Sequence, residues 1–534
     1  MEYDEIFSQA KTARGGCDDI RSVEVRVSGL PEVTSALCEQ LGKEVDAGRL
    51  EAEVIRAGSF GFYDLEPIVS VSKQGRATVL YAQVAPEAAR ELVESYLAED
   101  GRMAGRALCS MGKGQIAGVM SASDLPFFNT QRRVALRNCG LVDPEAIDHY
   151  IAACHGYSRL SKLVAKDRAE VAGALKSFEG CCRALGTLQA LAEESDGAEK
   201  VVVCNGADAS PGGMTARLLL EGDPHAVLDG MLIAACVAGA GRCVVVADSG
   251  WTVGIERMRK AIEEAKERGL AGDHILGAGF SCDIEIRQAD PSLVLGEDTA
   301  LLRFLEGRQP LPVMQPADSG PLSLSGKPCF VESIETFARI SGFPWETGGE
   351  RCETRVVTLT GDVSHGYTVE IPIETTIRTL VEVIGGGVAA GGSLKAVQLG
   401  PTGRLLGPES LDLAIAVAGE TGRGTGSATL EVFDGKHCAV EIAEASIAYL
   451  QTQSCGKCVF CREGTLQMSD ILRSIIAGEG ATRDPDLLGK IGEAMRTGCV
   501  CAVGAAAADP VLSGITLFRK EYEEHIREKR CRKG

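Results

Sequence analysis

Positive charge is scarce in this chain. Its 55 Lys and Arg stand against 74 Asp and Glu, a formal net charge of −19, with a pI near 5.0. That balance argues against nucleic acid or an anionic membrane surface as a partner. Long apolar runs are missing too. None reaches the roughly 18 residues of a membrane span, and the longest, around Met231–Ala240, breaks at Gly239 and Gly241. The segment Met1-Glu2-Tyr3-Asp4-Glu5 has neither the basic nor the apolar region of a secretory signal. Aromatic residues make up only 5%, but apolar residues reach 45%, so core material is ample. There is no regular cysteine framework either. The 20 cysteines are irregularly spaced outside 455–501, unlike a secreted disulfide scaffold. The expectation is a cytoplasmic protein in a reducing setting, with no nucleic-acid partner and no direct membrane insertion.

What is present is concentrated near the C-terminus. Ser454-Cys455-Gly456-Lys457-Cys458-Val459-Phe460-Cys461-Arg462-Glu463-Gly464 sets three cysteines at i, i+3 and i+6. A fourth lies in Gly498-Cys499-Val500-Cys501-Ala502-Val503-Gly504. Four thiolates match the needs of a cubane 4Fe–4S cluster. The triple lets one loop or helix start wrap three corners, and a remote cysteine closes the fourth. Zinc also accepts four thiolates, but its sites more often come as two CxxC pairs. Plain buried cysteines are the third reading. Spacing alone leaves Cys499 and Cys501 both open as the fourth ligand.

The chain's 534 residues suffice for three or four domains. Strand patterns at Val23–Val27, Glu51–Arg56, Ile68–Ser72 and Thr78–Tyr81 alternate with helical ones at Val33–Ala47 and Pro86–Tyr96. Asp143 is expected to cap a helix that starts at Pro144. Strands Val201–Cys204, Arg242–Ala247 and Asp283–Arg287, alternating with helices 231–238 and 253–268, predict a mostly parallel sheet. Arg355–Gly361, Tyr367–Ile371, a helix at Thr376–Ile384 and Lys395–Leu399 suggest a compact β-grasp unit. Helices near 440–452, 462–477, 485–497 and 510–528 suggest a four-helix bundle with the cysteine motif in its loops.

Ser454–Gly464 resembles the SCGKCxPCREG signature of the NADH-binding flavoprotein of respiratory complex I. The same type of subunit occurs in multimeric hydrogenases and NAD-linked formate dehydrogenases. Cys501-Ala502-Val503-Gly504 is similar to the family's CALG, which selects Cys501 over Cys499. Further likenesses follow in family order: Val203-Cys204-Asn205, Leu219 to His225, Gly296 to Leu301, Glu335-Thr336-Phe337 and Lys395 to Gln398. The resemblance covers residues 100–534, and less securely 20–97. It implies an α/β multidomain chain: a thioredoxin-like domain (1–100), a helical connector (101–165), a Rossmann-like FMN-domain fold (166–350), a β-grasp SLBB-like domain (351–435) and a C-terminal helical bundle holding a 4Fe–4S cluster on Cys455, Cys458, Cys461 and Cys501 (436–534). It also implies partners: a thioredoxin-like ferredoxin subunit and a larger multi-cluster subunit.

The flavin elements depart from the family. Its glycine-rich GRGGAGFPTG-like loop corresponds to Ser177-Phe178-Glu179-Gly180-Cys181-Cys182-Arg183-Ala184-Leu185-Gly186-Thr187-Leu188. Side chains there block the close backbone approach that a phosphate needs. The NADEGDPG-like element reads Asn205 to Gly212 and keeps only Asp208 of its acidic pair. The segment ending in CGEE keeps only Gly296-Glu297. Residual FMN-site candidates are therefore Asn205, Asp208 and Glu297, and the expectation is that neither FMN nor NADH binds in the family manner. In the thioredoxin-like unit the family's GCxGxC turn reads Gly58-Ser59-Phe60-Gly61-Phe62-Tyr63, with only Cys38 nearby, so its 2Fe–2S cluster is expected to be lost.

Other residues carry plainer expectations. Cys181-Cys182 is read as a pair of buried small hydrophobes, Cys531 as a free exposed thiol, His155 as a capping residue and Gly422–Gly426 as a turn. Lys457 and Arg462 either raise the cluster potential or pair with acidic residues of the bundle. Three functions follow: an electron-transfer subunit that has lost its flavin chemistry, an active FMN subunit oxidising NADH, or a purely structural paralogue.

Overall fold

Among the described residues, three five-stranded sheets and a helical bundle make up the architecture. The computed structural model describes residues 2–13, 23–73, 75–94, 107–112, 114, 116, 118–166, 170, 183–193, 199–207, 210–315, 321–342, 353–400, 402–418 and 428–531.

The first sheet has the order β2-β1-β3-β4-β5, from β1 (Val23–Ser28), β2 (Ala52–Ala57), β3 (Ile68–Ser72), β4 (Thr78–Tyr81) and β5 (Ala107–Met111). Its period-2 alternation feeds two cores. Val69, Val71, Val79 and Tyr81 pack with Leu37, Leu41 and Val45 of helix Pro31–Gly48. Ile68, Leu80 and Cys109 face the other way, into a core shared with the third sheet. The helix expected at Pro86–Tyr96 is a 3-10 turn, Pro86–Ala88, running into Ala89–Leu92, and its end lies outside the described residues.

The second sheet has the order β8-β7-β6-β10-β9, from β6 (Lys200–Gly206), β7 (Ala240–Asp248), β8 (Asp283–Ala289), β9 (Ser323–Leu324) and β10 (Lys327–Ser333). All pairings are parallel except that of β9. The run Val201-Val202-Val203-Cys204 is buried on both faces, as a central parallel strand requires. Helix Pro224–Ala238 starts earlier than the apolar run suggests. The Asp223 carboxylate accepts from the Ala226 N–H at 3.1 Å, Pro224 takes the first turn, and Gly239 (φ 71°) ends the helix. It is apolar because it is enclosed, with Gly230 against the Phe337 carbonyl.

The third sheet has the order β12-β11-β15-β13-β14, from β11 (Thr354–Gly361), β12 (Thr368–Pro372), β13 (Leu394–Leu399), β14 (Leu405–Leu406) and β15 (Ala428–Asp434). Only β11 and β15 pair in parallel. Ile377, Leu380, Val381 and Ile384 cover one face.

Helices Ala439–Thr452, Val459–Ile476, Asp484–Gly498 and Asp509–Glu528 build the C-terminal bundle. Val440, Ala443, Ile447 and Leu450 repeat at helical spacing and meet Met468, Leu472, Met495 and Tyr522. Asp143 does not cap a helix. Its carboxylate accepts from the Glu145 N–H at 2.9 Å within a turn, and the helix is Ile147–Cys154 with Ala146 at its N-cap. The same short side chain satisfies a turn as readily as a helix start. Among the described residues no helix is long and apolar enough to cross a membrane.

Candidate metal centre

Helix starts assemble the cysteine cluster. Cys458 sits at the N-cap of helix Val459–Ile476, and Cys461 falls in its first turn. Gly456, at φ 77°, turns the preceding loop so that Cys455 comes back toward the helix. Cys501 caps the short helix Ala502–Ala506, and its sulfur accepts from the Gly504 N–H at 3.4 Å. The Val500 N–H donates to the Cys458 sulfur at 3.4 Å, and the Ser454 hydroxyl lies 3.4 Å from the Cys461 sulfur. Backbone N–H groups aimed at sulfur are the contacts that orient metal-binding thiolates and tune a bound cluster. All five sulfurs are half-buried. Among the described residues no three of them lie mutually within 4.8 Å.

Cys499 is turned toward the same site. Its thiol hydrogen-bonds Cys461, which together with Ser454 holds Cys461 down at about 6 against the cost of burial. Burial pushes Cys501 up to about 11, opposed by the Gly504 N–H. The flanking cations are committed elsewhere. Lys457 donates to the Pro312 carbonyl, and Arg462 donates to the Gly456 carbonyl at 2.7 Å and pairs with Glu463. Arg462 thus pairs with an acidic residue of the bundle, on its own helix.

The flavin-side residues lie where the second sheet changes direction. Strand order reverses between β6 and β10, and Asn205 and Ser333 are paired at their carboxyl ends, where open parallel sheets carry their crevice. Asn205 donates to the Leu295 carbonyl at 2.8 Å and accepts from the Ala207 N–H at 3.1 Å. It thereby staples β6 to the Leu293–Gly296 turn. Glu297 caps helix Asp298–Leu305, accepting from the Ala300 N–H at 2.9 Å and the Thr299 hydroxyl at 2.6 Å. Asp208 and the Cys181-Cys182 pair lie outside the described residues, as does Gly422–Gly426. Of the stretch matched to the glycine-rich loop, residues from Arg183 onward form helix Arg183–Glu193, with Ala184, Leu185 and Leu188 in the core.

The sequence is similar to those of known proteins. The NADH-ubiquinone oxidoreductase-F iron-sulfur binding region matches residues 441–525, and the Nuo51 FMN-binding domain matches 183–342. The NADP-reducing hydrogenase subunit HndC of Solidesulfovibrio fructosivorans is 35% identical over 417 residues, covering 75% of this chain and 85% of that protein. The NADH-quinone oxidoreductase F 2 subunit of Rhizobium meliloti is 31% identical over 415 residues, covering 74% and 98%. The chain belongs to the NADH-binding flavoprotein family of respiratory complex I. Among solved structures, an NAD+-reducing NiFe-hydrogenase in the H2-reduced state aligns with a TM-score of 0.62 at 19% identity, over 98% of this chain and 90% of that one. That likeness concerns the fold alone: an α/β multidomain chain of several mixed sheets and helices.

Within this member of the flavoprotein family the turn Gly58–Tyr63 is a packing element. Gly58 lies against Gly222, so that a Cβ there would fall 2.3 Å from the Gly222 Cα. Ser59 accepts from the Gly61 N–H at 2.8 Å and hydrogen-bonds Glu66. Tyr63 shares a hydrogen bond with Thr368 of β12 at 2.7 Å. Phe60 and Phe62 are buried beside Phe127 and Phe128. Ser59 and Tyr63 bring hydroxyls, not thiols, and Cys38 is held on helix Pro31–Gly48 near Arg56. His155 ends helix Ile147–Cys154 at φ 51°, its ring stacked on Phe7 at 5.1 Å. Cys531 departs from expectation. It is a free cysteine, as expected, but half-buried against Cys438 and His525 rather than exposed. No local spacing announces that meeting, because Cys438 lies in the sequence before the whole bundle.

Proposed function

We propose that the chain is an electron-transfer subunit of a multi-subunit iron–sulfur and flavin oxidoreductase. It carries one 4Fe–4S cluster on Cys455, Cys458, Cys461 and Cys501, and its FMN/NADH site is non-functional. The observation that carries this reading is the cluster of half-buried sulfurs at two helix starts, with backbone N–H groups donated to Cys458 and Cys501. Bound there, the cluster supplies one-electron transfer. The protein's part is to fix the sulfurs, donate hydrogen bonds to them and hold bulk water partly away.

The residues on the flavin side fit FMN poorly. A phosphate cradle needs bare backbone at a helix N-terminus. Here a core-packed helix stands over the second half of the matched stretch, and Asn205 and Glu297 already bind their own backbone. The three units are read as thioredoxin-like (1–100), Rossmann-like (166–350) and β-grasp, SLBB-like (351–435), with a connector at 101–165 whose strand β5 adds to the first sheet, and the cluster bundle at 436–534. By the relatives' names, the partners are subunits of hydrogenase or NADH-quinone oxidoreductase assemblies. A thioredoxin-like ferredoxin subunit and a multi-cluster subunit in the cytoplasm suit this reading.

The second reading, an active FMN subunit, draws on the match of residues 183–342 to the Nuo51 FMN-binding domain. Anaerobic purification with iron, sulfide and acid-released flavin measured on one sample separates the two. About four irons with no flavin supports the relay. About four irons with one FMN establishes the second reading, and about six irons restores a 2Fe–2S cluster to the N-terminal unit.

A further inference from the structure

A second set of donors closes the far end of the bundle. Cys438 follows β15 and caps helix Ala439–Thr452; His525 lies in the last turn of helix Asp509–Glu528, and Cys531 lies just beyond it. The two sulfurs and a ring nitrogen of His525 all lie within 4.8 Å of one another. The Cys438 sulfur is 3.5 Å from His525 Nε2. Cys438 and His525 are each 2% exposed.

The histidine is already oriented as a ligand. Its Nδ1 is 2.7 Å from the Glu521 carbonyl, which can only accept. Nδ1 therefore carries the proton, and Nε2 turns its lone pair toward Cys438. Backbone N–H groups of Val440 and Glu441 reach the Cys438 sulfur. The Tyr522 hydroxyl, in the electrostatic field of Cys438, is buried without a hydrogen-bond partner. Glu521 ties the same joint together. Its carboxylate binds Lys395 of β13 at 2.6 and 2.8 Å and accepts from the Ala439 N–H at 3.0 Å.

We propose that Cys438, His525 and Cys531 bind one zinc ion, with water as fourth ligand, at a site separate from the iron–sulfur centre. Tetrahedral zinc with usual bond lengths sets sulfur and nitrogen ligands roughly 3.6 Å apart, close to the observed 3.5 Å. Two sulfurs and one nitrogen suit zinc's borderline softness. Binding releases the two thiol protons to solvent and forms two Zn–S bonds and one Zn–N bond, and nothing is oxidised or reduced. The ion pins the C-terminal segment to the junction of the third sheet and the first bundle helix.

The test is metal analysis of the full chain, purified anaerobically and offered Zn2+. About one zinc beside about four irons is expected. His525→Ala and Cys531→Ser are expected to lose the zinc and keep the iron. Co2+ in place of zinc is expected to give a thiolate-to-cobalt absorption that Cys531→Ser abolishes. Should these variants fail to fold, His525→Cys, which restores a zinc ligand, is expected to keep one zinc. The proposal is overturned if no zinc binds, if zinc persists in His525→Ala, or if intact mass shows Cys438 and Cys531 joined as a disulfide.

Discussion

Val500 donates its backbone N–H to the sulfur of Cys458, 3.4 Å away and 42 residues earlier in the chain. The contact joins the start of helix Val459–Ile476 to the loop that follows helix Asp484–Gly498. It fixes the register in which Cys501, one residue on, faces the cysteine triple.

That register makes a choice testable. Cys458→Ser and Cys501→Ser are expected to lose most of the iron, because on the proposed assignment each removes one corner of the cube. Cys499→Ser is expected to retain about four irons, changing only the hydrogen bond offered to Cys461. Iron and sulfide content, with electron paramagnetic resonance of the reduced protein, reads all three. Retention of four irons by Cys501→Ser but not by Cys499→Ser would reverse the assignment.

Much of this was legible in the sequence where one physical rule dominates. Helical periodicity gives the four bundle helices to within three residues, and the hairpin strands Ile68–Ser72 and Thr78–Tyr81 stand where alternation sets them. Legibility fails where two rules compete. Asp143-Pro144-Glu145 has helix-start chemistry, yet a turn uses it. The front half of helix Pro224–Ala238 lies ahead of the apolar run from Met231 that suggests it, and only the Asp223 cap with Pro224 in the first turn marks its start. Long-range meetings were invisible. Cys438, His525 and Cys531 converge only because both ends of the bundle fold back on each other.

Asn205 separates structural from flavin roles. Its side chain bridges the Leu295 carbonyl and the Ala207 N–H. Asn205→Ala is expected to cost about 1–3 kcal/mol of stability, because both groups lose a partner, with iron content unchanged. Thermal unfolding beside flavin release checks it. A wild type that releases FMN and a variant that does not would assign Asn205 to flavin instead.

The glycine contact at the N-terminal turn is steric. Gly58→Ala would drive a methyl to 2.3 Å from the Gly222 Cα and 3.2 Å from the Glu221 carbonyl oxygen. Both neighbours are backbone, so the turn must move away. A loss of about 1–3 kcal/mol, as at other overpacked sites, is expected, read as a lower melting temperature. An unchanged melting temperature would mean that this turn is not held against helix Thr215–Gly222.

Asp229 sets a pH dependence in the second sheet's core. It is fully enclosed and accepts from the Tyr157 N–H and the Tyr150 hydroxyl, both at 3.0 Å. Burial raises its carboxyl from the ordinary 3.8 to about 6, partly offset by those bonds and by Arg137. The folded chain therefore holds this proton up to a higher pH than the unfolded chain does. Stability from this group is fully present below about pH 4 and is lost as pH rises through about 6, on the order of 3 kcal/mol for a shift of about two units. Asp229→Asn keeps an acceptor for both bonds and has no charge to bury. Its stability is expected to be flatter than wild type between about pH 4 and 6, and equal or higher at pH 7. Denaturant unfolding at several pH values reads both slopes. A variant that loses stability with rising pH as steeply as wild type would move the titration to another group.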